Sequence, residues 1–596
     1  MLVFGDAVRE EVPAAKVARI REHLADASRQ AGVVRHGLFV AALIEAGELA
    51  QGIADSAFEA CGRRDARSPA GEAAMAVTTA LAGSVVQSWS SGFEGPGESG
   101  IAVVPAALTT LEGLPWPASI SVRQAEGFAL YAVYPESYLT AAQGLASGTP
   151  VEVIGTRSIG TTLAAIVAAA LGAPAPATVR PIGHPFHREL SLDHALEAEF
   201  RSERSASFAI VDEGPGLSGS SFAAVARRLS EAGVFAAQIH LFPSHGGSPG
   251  PQAGNEARAV WARHPRHVAT FDDVILNAPR SEHRLESWVS DLIGPPLVPL
   301  EDLSGGAWRR RRFSNEADWP PVHAWQERRK FLCTTESGTW LLKFAGLGRV
   351  GFERAERARA LGEAGLTPKP AGWRHGFLVE RWHAEAAIPE PEELASDAFL
   401  DRLGAYLAFR ASAFRTDPGR GASLEQLYGM ALHNAGEALG QAAAGRLTRL
   451  RPSLERLQRH VRPVETDSRL HVWEWLRCGG AYLKTDAVDH HAGHDLVGCQ
   501  DVAWDLAGAA VELSLSPDRL AALAARVERE GGGPVSPELI DAVTPLYVAF
   551  QLGYWTDALR SALPGEGGRL AAETARYAGL LGGLLGVEGN CTLGDV

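Results

Sequence analysis

Two parts of this 596-residue chain hold residues whose types and spacing can do chemistry. The first is AIVDEGPGLSGSS at 209–221. Asp212 and Glu213 leave an apolar run together, and Gly216, Ser218, Gly219, Ser220 and Ser221 follow. Glycine permits close backbone approach, and serine hydroxyls with the free N–H groups of a helix start accept an anion. Paired carboxylates beside such a cradle suit a sugar phosphate. The acids would take ribose hydroxyls, directly or through Mg2+, and the loop would take the 5-phosphate. The plainer alternative is a tight turn with a serine N-cap and two solvated acids. In the second part, Lys343 lies in the apolar run TWLLKFAGLG, as an edge residue or as the partner of an anion. Glu353 and Glu356 follow in FERAERARALGEAGL, and a strand lysine oriented by a helix glutamate places a cation on nucleotide phosphates. Asp489, His490, His491, His494 and Asp495 crowd AVDHHAGHD, which reads as a metal cluster or as solvated histidines beside a Mg2+ site.

The elements that must position these groups follow from hydrophobic spacing. PVEVIGTRSIGTTLAAIVAAALG predicts a buried strand at 151–155, a small-residue loop and an apolar helix. SFAIVDEGPGLSGSSFAAVARRLSEAG predicts a strand at 208–211, a loop over 212–221 and a helix with Phe222, Val225 and Leu229 on one face. A third strand follows in AAQIHLF. This alternation predicts a parallel sheet, whose ligands bind at the carboxyl ends of its strands. Residues 1–95 read as a helical region, 96–300 as the parallel-sheet domain and 301–596 as a domain that begins strand-like and turns helical.

AIVDEGPGLSGSS resembles the signature of the type I phosphoribosyltransferases, and VIGTRSIGTTLA resembles their pyrophosphate loop. The glycine after the acidic pair stands one position late, and serine replaces the usual threonine. The resemblance covers roughly 100–290. It implies a site for phosphoribosyl pyrophosphate and Mg2+, with Asp212 and Glu213 on the ribose and Asp212 also at the metal. Arg157, Ser158 and Gly160 would hold pyrophosphate, and Arg180 would neutralise it. TWLLKFAGLG, LKTD and WDLAGA together resemble the aminoglycoside phosphotransferase and choline kinase-like group over roughly 320–590. That likeness implies a bilobal α+β domain binding ATP through Lys343 and Glu356, with metal ligands Asp486 and Glu474 and a structural Asp505. The group's catalytic His-Gly-Asp is absent, so Asp467 or Glu474 would substitute for its base.

Composition bounds the readings. A net charge of −14 argues against broad binding to nucleic acid or anionic membrane. The five cysteines form no CxxC, which fits a reducing cytoplasm. No signal peptide or membrane span is expected. The chain prefers arginine, and Lys16, Lys330, Lys343, Lys369 and Lys484 are its only lysines. A lysine kept against that bias marks a place where arginine does not serve. The reading is an α/β multidomain cytosolic enzyme with small-molecule substrates, able to oligomerise. It combines phosphoribosyl transfer with ATP-dependent phosphotransfer. The rival is a regulatory or scaffold protein that binds the same ligands without turnover.

Overall fold

The computed structural model describes residues 8–94, 98–145, 150–202, 206–492 and 497–587. His494 and Asp495, and the boundary expected between residues 95 and 96, lie outside them. The chain is mixed α/β, about 55% helical, with one parallel sheet.

The N-terminal region is helical, as its three- and four-residue apolar spacing predicts. Its centre is the helix Gly32–Ala60, flanked by Pro13–Ala27 and Pro69–Ser90. Predominantly apolar, with a few buried polar groups such as His36 and Glu45, Gly32–Ala60 is long and apolar enough to cross a membrane, yet 89% of its most apolar window is buried inside the fold. A helix that is hydrophobic all round belongs to a core or a bilayer, and here it is the core. Each of its large apolar side chains contributes roughly 1.5–3 kcal/mol by leaving water.

The predicted strand–loop–helix units form. Strands Val151–Thr156 and Ser207–Val211 pair in parallel at the centre of a four-stranded sheet. Ala177–Val179 flanks the first and Ile239–Phe242 the second. Helix Gly160–Leu171 covers one face and Ser220–Glu231 the other. Glycine is required where the first loop turns: a Cβ on Gly160 would meet the Val211 carbonyl oxygen at 2.6 Å.

A five-stranded antiparallel sheet follows, ordered Pro370–Arg374, Phe377–Arg381, Gly338–Phe344, Lys330–Thr335 and Glu301–Asp302. Helix Gly348–Glu363 leaves its third strand. The remainder is helical around Asp397–Ala413, Val502–Glu512 and Pro537–Arg560, with one hairpin, Trp475–Cys478 and Ala481–Lys484. One apolar core runs from Val17 through one face of the parallel sheet to Val379 in the antiparallel sheet. The C-terminal helices build a separate core. Helices on both sides of the expected 95/96 boundary therefore share one interior, as does the antiparallel sheet that begins at residue 301.

Candidate active site

Lys343 comes from the middle of the antiparallel sheet, in register with Leu378 on one side and Lys330 on the other. Its side chain is buried and its ammonium contacts Asp486, which follows the C-terminal hairpin. Asp489 Oδ1 lies 3.6 Å from the same nitrogen. Burial pushes the ammonium toward losing its proton, but Asp486 and Asp489 outweigh it and hold its pKa above the ordinary lysine value. Lys343, Asp486, Glu474 and Glu380 line one cleft between the antiparallel sheet and the C-terminal helices. Trp382 and Trp473 supply aromatic walls.

The expected partner of Lys343 is corrected. Glu356 is exposed and does not line the cleft; it accepts from Arg359 Nη2 at 2.6 Å. Glu353 is likewise exposed and lies 3.6 Å from Arg349. The face of helix Gly348–Glu363 that turns inward carries Arg354 and Arg357 instead. Arg354 donates to the carbonyls of Ala129 and Ala345 at 2.6 and 3.0 Å, and lies 3.9 Å from Asp489. Arg328 reaches Asp489 at 3.1 Å. The helix thus sets an arginine against Asp489, the buried acid beside Lys343, where a glutamate was expected to hold the lysine.

The second acid is Asp467. Its loop is anchored by Asp505, the first-turn acid of helix Val502–Glu512, which accepts from the N–H groups of Asp467 and Ser468 at 2.9 and 2.7 Å. Asp505 thus has the structural position expected for it. Burial pushes its carboxyl up to about 6. Asp467 itself is fully buried and accepts from Tyr406 Oη and from His490 Nδ1, the latter at 3.0 Å. Burial would raise its pKa, but Lys484, His490 and Arg410 pull it well below the carboxylate range. It does not line the cleft. Glu474 does, with Lys484 Nζ 2.6 Å away, and burial raises its pKa against that lysine. The two expected metal ligands fall into different groups, joined through one histidine. Glu474 stands with Asp467 and His490, and Asp486 with Asp489 and His490. His491 belongs to neither group and lies 3.7 Å from Glu465.

At the other site the structure places the predicted acids at a strand end. Asp212 follows Ser207–Val211, half-buried, and burial pushes its carboxyl up to about 6. Its Oδ1 accepts from the Glu213 N–H at 2.8 Å, and Glu213 Oε2 accepts from the Gly127 N–H at 3.2 Å. Gly216 and Gly219 adopt positive φ, 57° and 63°, which the turn into helix Ser220–Glu231 requires. Several expected anion contacts are already taken, which corrects the reading of an open cradle. The Ser218 and Ser220 hydroxyls donate to the Pro185 carbonyl at 3.2 and 2.8 Å. Arg157 Nε donates to Asp55 at 2.8 Å and Arg180 Nε to the same oxygen at 2.9 Å. Asp65 contacts Arg157 and accepts from the Arg180 N–H at 2.7 Å. Ser221 is half-buried in the first turn of its helix. Ser158 gives its carbonyl to the Thr161 N–H at 3.0 Å, and Gly160 serves close packing.

The sequence reading missed Asp55, Asp65, Glu380, Arg328 and Arg354. Glu380 in the apolar run FLVER and Arg354 on the inward helix face carried a local signal, whereas Asp65 and Arg328 lie in polar loops that carry none.

No protein-family model and no curated protein matches the chain. Solved structures of small-molecule kinases do. The choline kinase LicA from Streptococcus pneumoniae is 16% identical, with 50% of this chain and 98% of that one covered and a TM-score of 0.33. A choline/ethanolamine kinase family protein from Mesorhizobium loti is 17% identical over 43% and 89%, with a TM-score of 0.29. A glucosamine kinase is 15% identical over 52% and 86%, with a TM-score of 0.32. These neighbours span about half of this chain, and the phosphoribosyltransferase-like reading of residues 96–300 rests on its own residues.

Proposed function

We propose that the cleft of the C-terminal half binds ATP with Mg2+ and transfers its terminal phosphoryl group to a small molecule. The observation that carries this is the meeting of Lys343 and Asp486, from separate halves of the fold, beside an acid-lined aromatic cleft. Lys343 would take the nucleotide phosphates. Among the carboxylates that line the cleft, Asp486 and Glu474 would take the Mg2+. Bound there, the ion would neutralise charge on the transferring phosphate. Of the two candidate bases, Glu474 is the better placed, since it lines the cleft while Asp467 is enclosed by Tyr406, His490 and Lys484. An acceptor hydroxyl would pass its proton to Glu474 as its oxygen bonds to phosphorus and ADP leaves. The test is Mg·ATP binding followed by transfer to a panel of small alcohols and amines. Binding that disappears in Asp486→Asn is expected. A folded wild type that binds no Mg·ATP overturns the reading.

A second reading is favoured by one observation, the parallel pairing that sets the Arg157 loop beside the Asp212–Glu213 loop. There phosphoribosyl pyrophosphate and Mg2+ would bind, and a phosphoribosyl group would be transferred. Calorimetry with both ligands, on the wild type and on Asp212→Asn/Glu213→Gln, tests it. Saturable binding lost in the double variant is the expected result, and binding without turnover at either site would favour a regulatory role.

A further inference from the structure

Away from both sites, His36, Glu136 and His375 meet in the interior, with side chains 0%, 0% and 1% exposed. They come from the helix Gly32–Ala60, the first turn of the helix Pro135–Gln143 and the turn between strands Pro370–Arg374 and Phe377–Arg381. His36 Nε2 and His375 Nε2 lie 2.6 and 2.8 Å from the same oxygen, Glu136 Oε1. His36 Nδ1 is 3.0 Å from Ser88 Oγ, which fixes that ring with Nε2 toward the glutamate. The rings of Trp89, Phe93, Tyr134 and Trp288 pack on the two imidazoles.

This arrangement leaves a debt. Among the described residues, the ion pairs of Glu136 are with the two histidines alone. Its second oxygen, Oε2, is buried with no hydrogen-bond partner. Both imidazoles meet the same carboxylate oxygen and leave the other one bare inside an aromatic shell. A buried carboxylate oxygen with no partner is costly. We propose that His36 Nε2, His375 Nε2 and the two carboxylate oxygens of Glu136 bind one divalent transition-metal ion of the zinc class. Two imidazoles and a carboxylate are ligands that zinc accepts at about 2.0–2.2 Å, so the three groups withdraw on the order of half an ångström from their hydrogen-bonded spacing. Ser88 has the orienting place that a metal-bound histidine needs on its other nitrogen. Full enclosure makes the site structural. It would pin the N-terminal helices to the antiparallel sheet that carries Lys343, where Tyr134 Oη already donates to the His375 carbonyl at 2.8 Å.

The proposal is independent of phosphotransfer, and its test avoids activity. The chelator-treated full chain is titrated with Co2+, read by its visible absorption. One Co2+ per chain is expected, retained in Asp486→Asn/Asp489→Asn and weakened at least tenfold in His375→Gln. A folded wild type that takes up no Co2+ overturns the proposal, as does binding that survives His375→Gln but is lost in the Asp486/Asp489 double variant. Should His375→Gln not fold, X-ray absorption on the zinc-loaded wild type decides. Two imidazoles in the metal shell support the site. Fewer than two overturn it, since among the described residues the groups around Asp467, Asp486 and Asp489 contain a single histidine, His490.

Discussion

Lys343 and Arg157 are both buried cations, one within strand Gly338–Phe344 and one just past strand Val151–Thr156, and each is a phosphate ligand by proposal only. They differ in what holds them. Lys343 is held by Asp486, which lines the cleft, and by Asp489 buried behind it, so the charges that would meet a nucleotide and its metal already face one another. Arg157 and Arg180 are held by Asp55 and Asp65, which belong to the helical region and a loop beside it. In the cleft, a polyanion with Mg2+ can exchange one set of opposite charges for another. At the Arg157 loop, an incoming pyrophosphate has to displace acids that are part of the fold's interior. A cation near a strand end is therefore informative about ligand binding only once the origin of its counter-ion is known.

The largest effect is expected at Lys343. Lys343→Met leaves Asp486 and Asp489 without their shared cation, and breaking a buried pair in this way costs about 3–5 kcal/mol. Phosphotransfer should fall by about 100-fold or more, the scale for removing a group that stabilises phosphate charge. Lys343→Arg sharpens the comparison. It keeps the charge, so most stability is retained by denaturant melt, but the planar guanidinium does not fit a point-charge position and turnover still falls. Equal activity of the arginine variant would mean that the cleft needs only charge there.

Next in size is Asp505→Asn. An amide presents one acceptor oxygen where the carboxylate presents two, so one of the N–H groups of Asp467 and Ser468 loses its partner. A cost of about 1–3 kcal/mol is expected from the orphaned donor, with reduced turnover as the loop loosens. Unchanged melting would show that the loop is held by Tyr406 and His490 instead.

The Asp212 site should report its burial through pH. Its carboxyl is raised from 3.8 to about 6, so the folded state holds the proton more tightly than the unfolded chain does. Stability from this group is lost as pH rises from about 4 through about 6, and it is restored below that window. Binding of Mg2+ with phosphoribosyl pyrophosphate needs the ionised form and should rise through the same window. Asp212→Asn should flatten both profiles. A binding profile flat between pH 5 and 7 in the wild type would detach Asp212 from the ligand.

Local patterns were legible in the sequence, and long-range pairings were not. Both strand–loop–helix units stand where apolar runs and glycine loops put them, because strand, turn and helix start are neighbours in the chain. Lys16, Lys330, Lys343 and Lys484 are buried and ion-paired and Lys369 is exposed, but buried, ion-paired arginines such as Arg157 and Arg309 stand beside them. Asp505 was legible because it opens a helix in a short motif. Asp55 and Asp65 were not, since each meets Arg157 across about a hundred residues. Nor was the joining of the N-terminal helices to the antiparallel sheet in one core. Periodicity shows that a face is apolar without showing which other face covers it.

The smallest effect discriminates best between the expected and the observed use of helix Gly348–Glu363. If that helix oriented Lys343 through Glu356, removing the carboxylate would abolish nucleotide binding. In the structure Glu356 points to solvent with Arg359, and an exposed i,i+3 pair contributes little in water. Glu356→Gln should therefore leave Mg·ATP affinity and turnover within about twofold of the wild type, since exposed pairs of this kind add only tenths of a kcal/mol. The inward residue of the same helix is Arg354, which donates to two backbone carbonyls and faces Asp489, so Arg354→Met should be felt where Glu356→Gln is not. Measuring both on one preparation sets the two faces of a single helix against each other. A strong loss in Glu356→Gln with a silent Arg354→Met would mean that the helix rotates when nucleotide binds and that the glutamate reaches Lys343 only then.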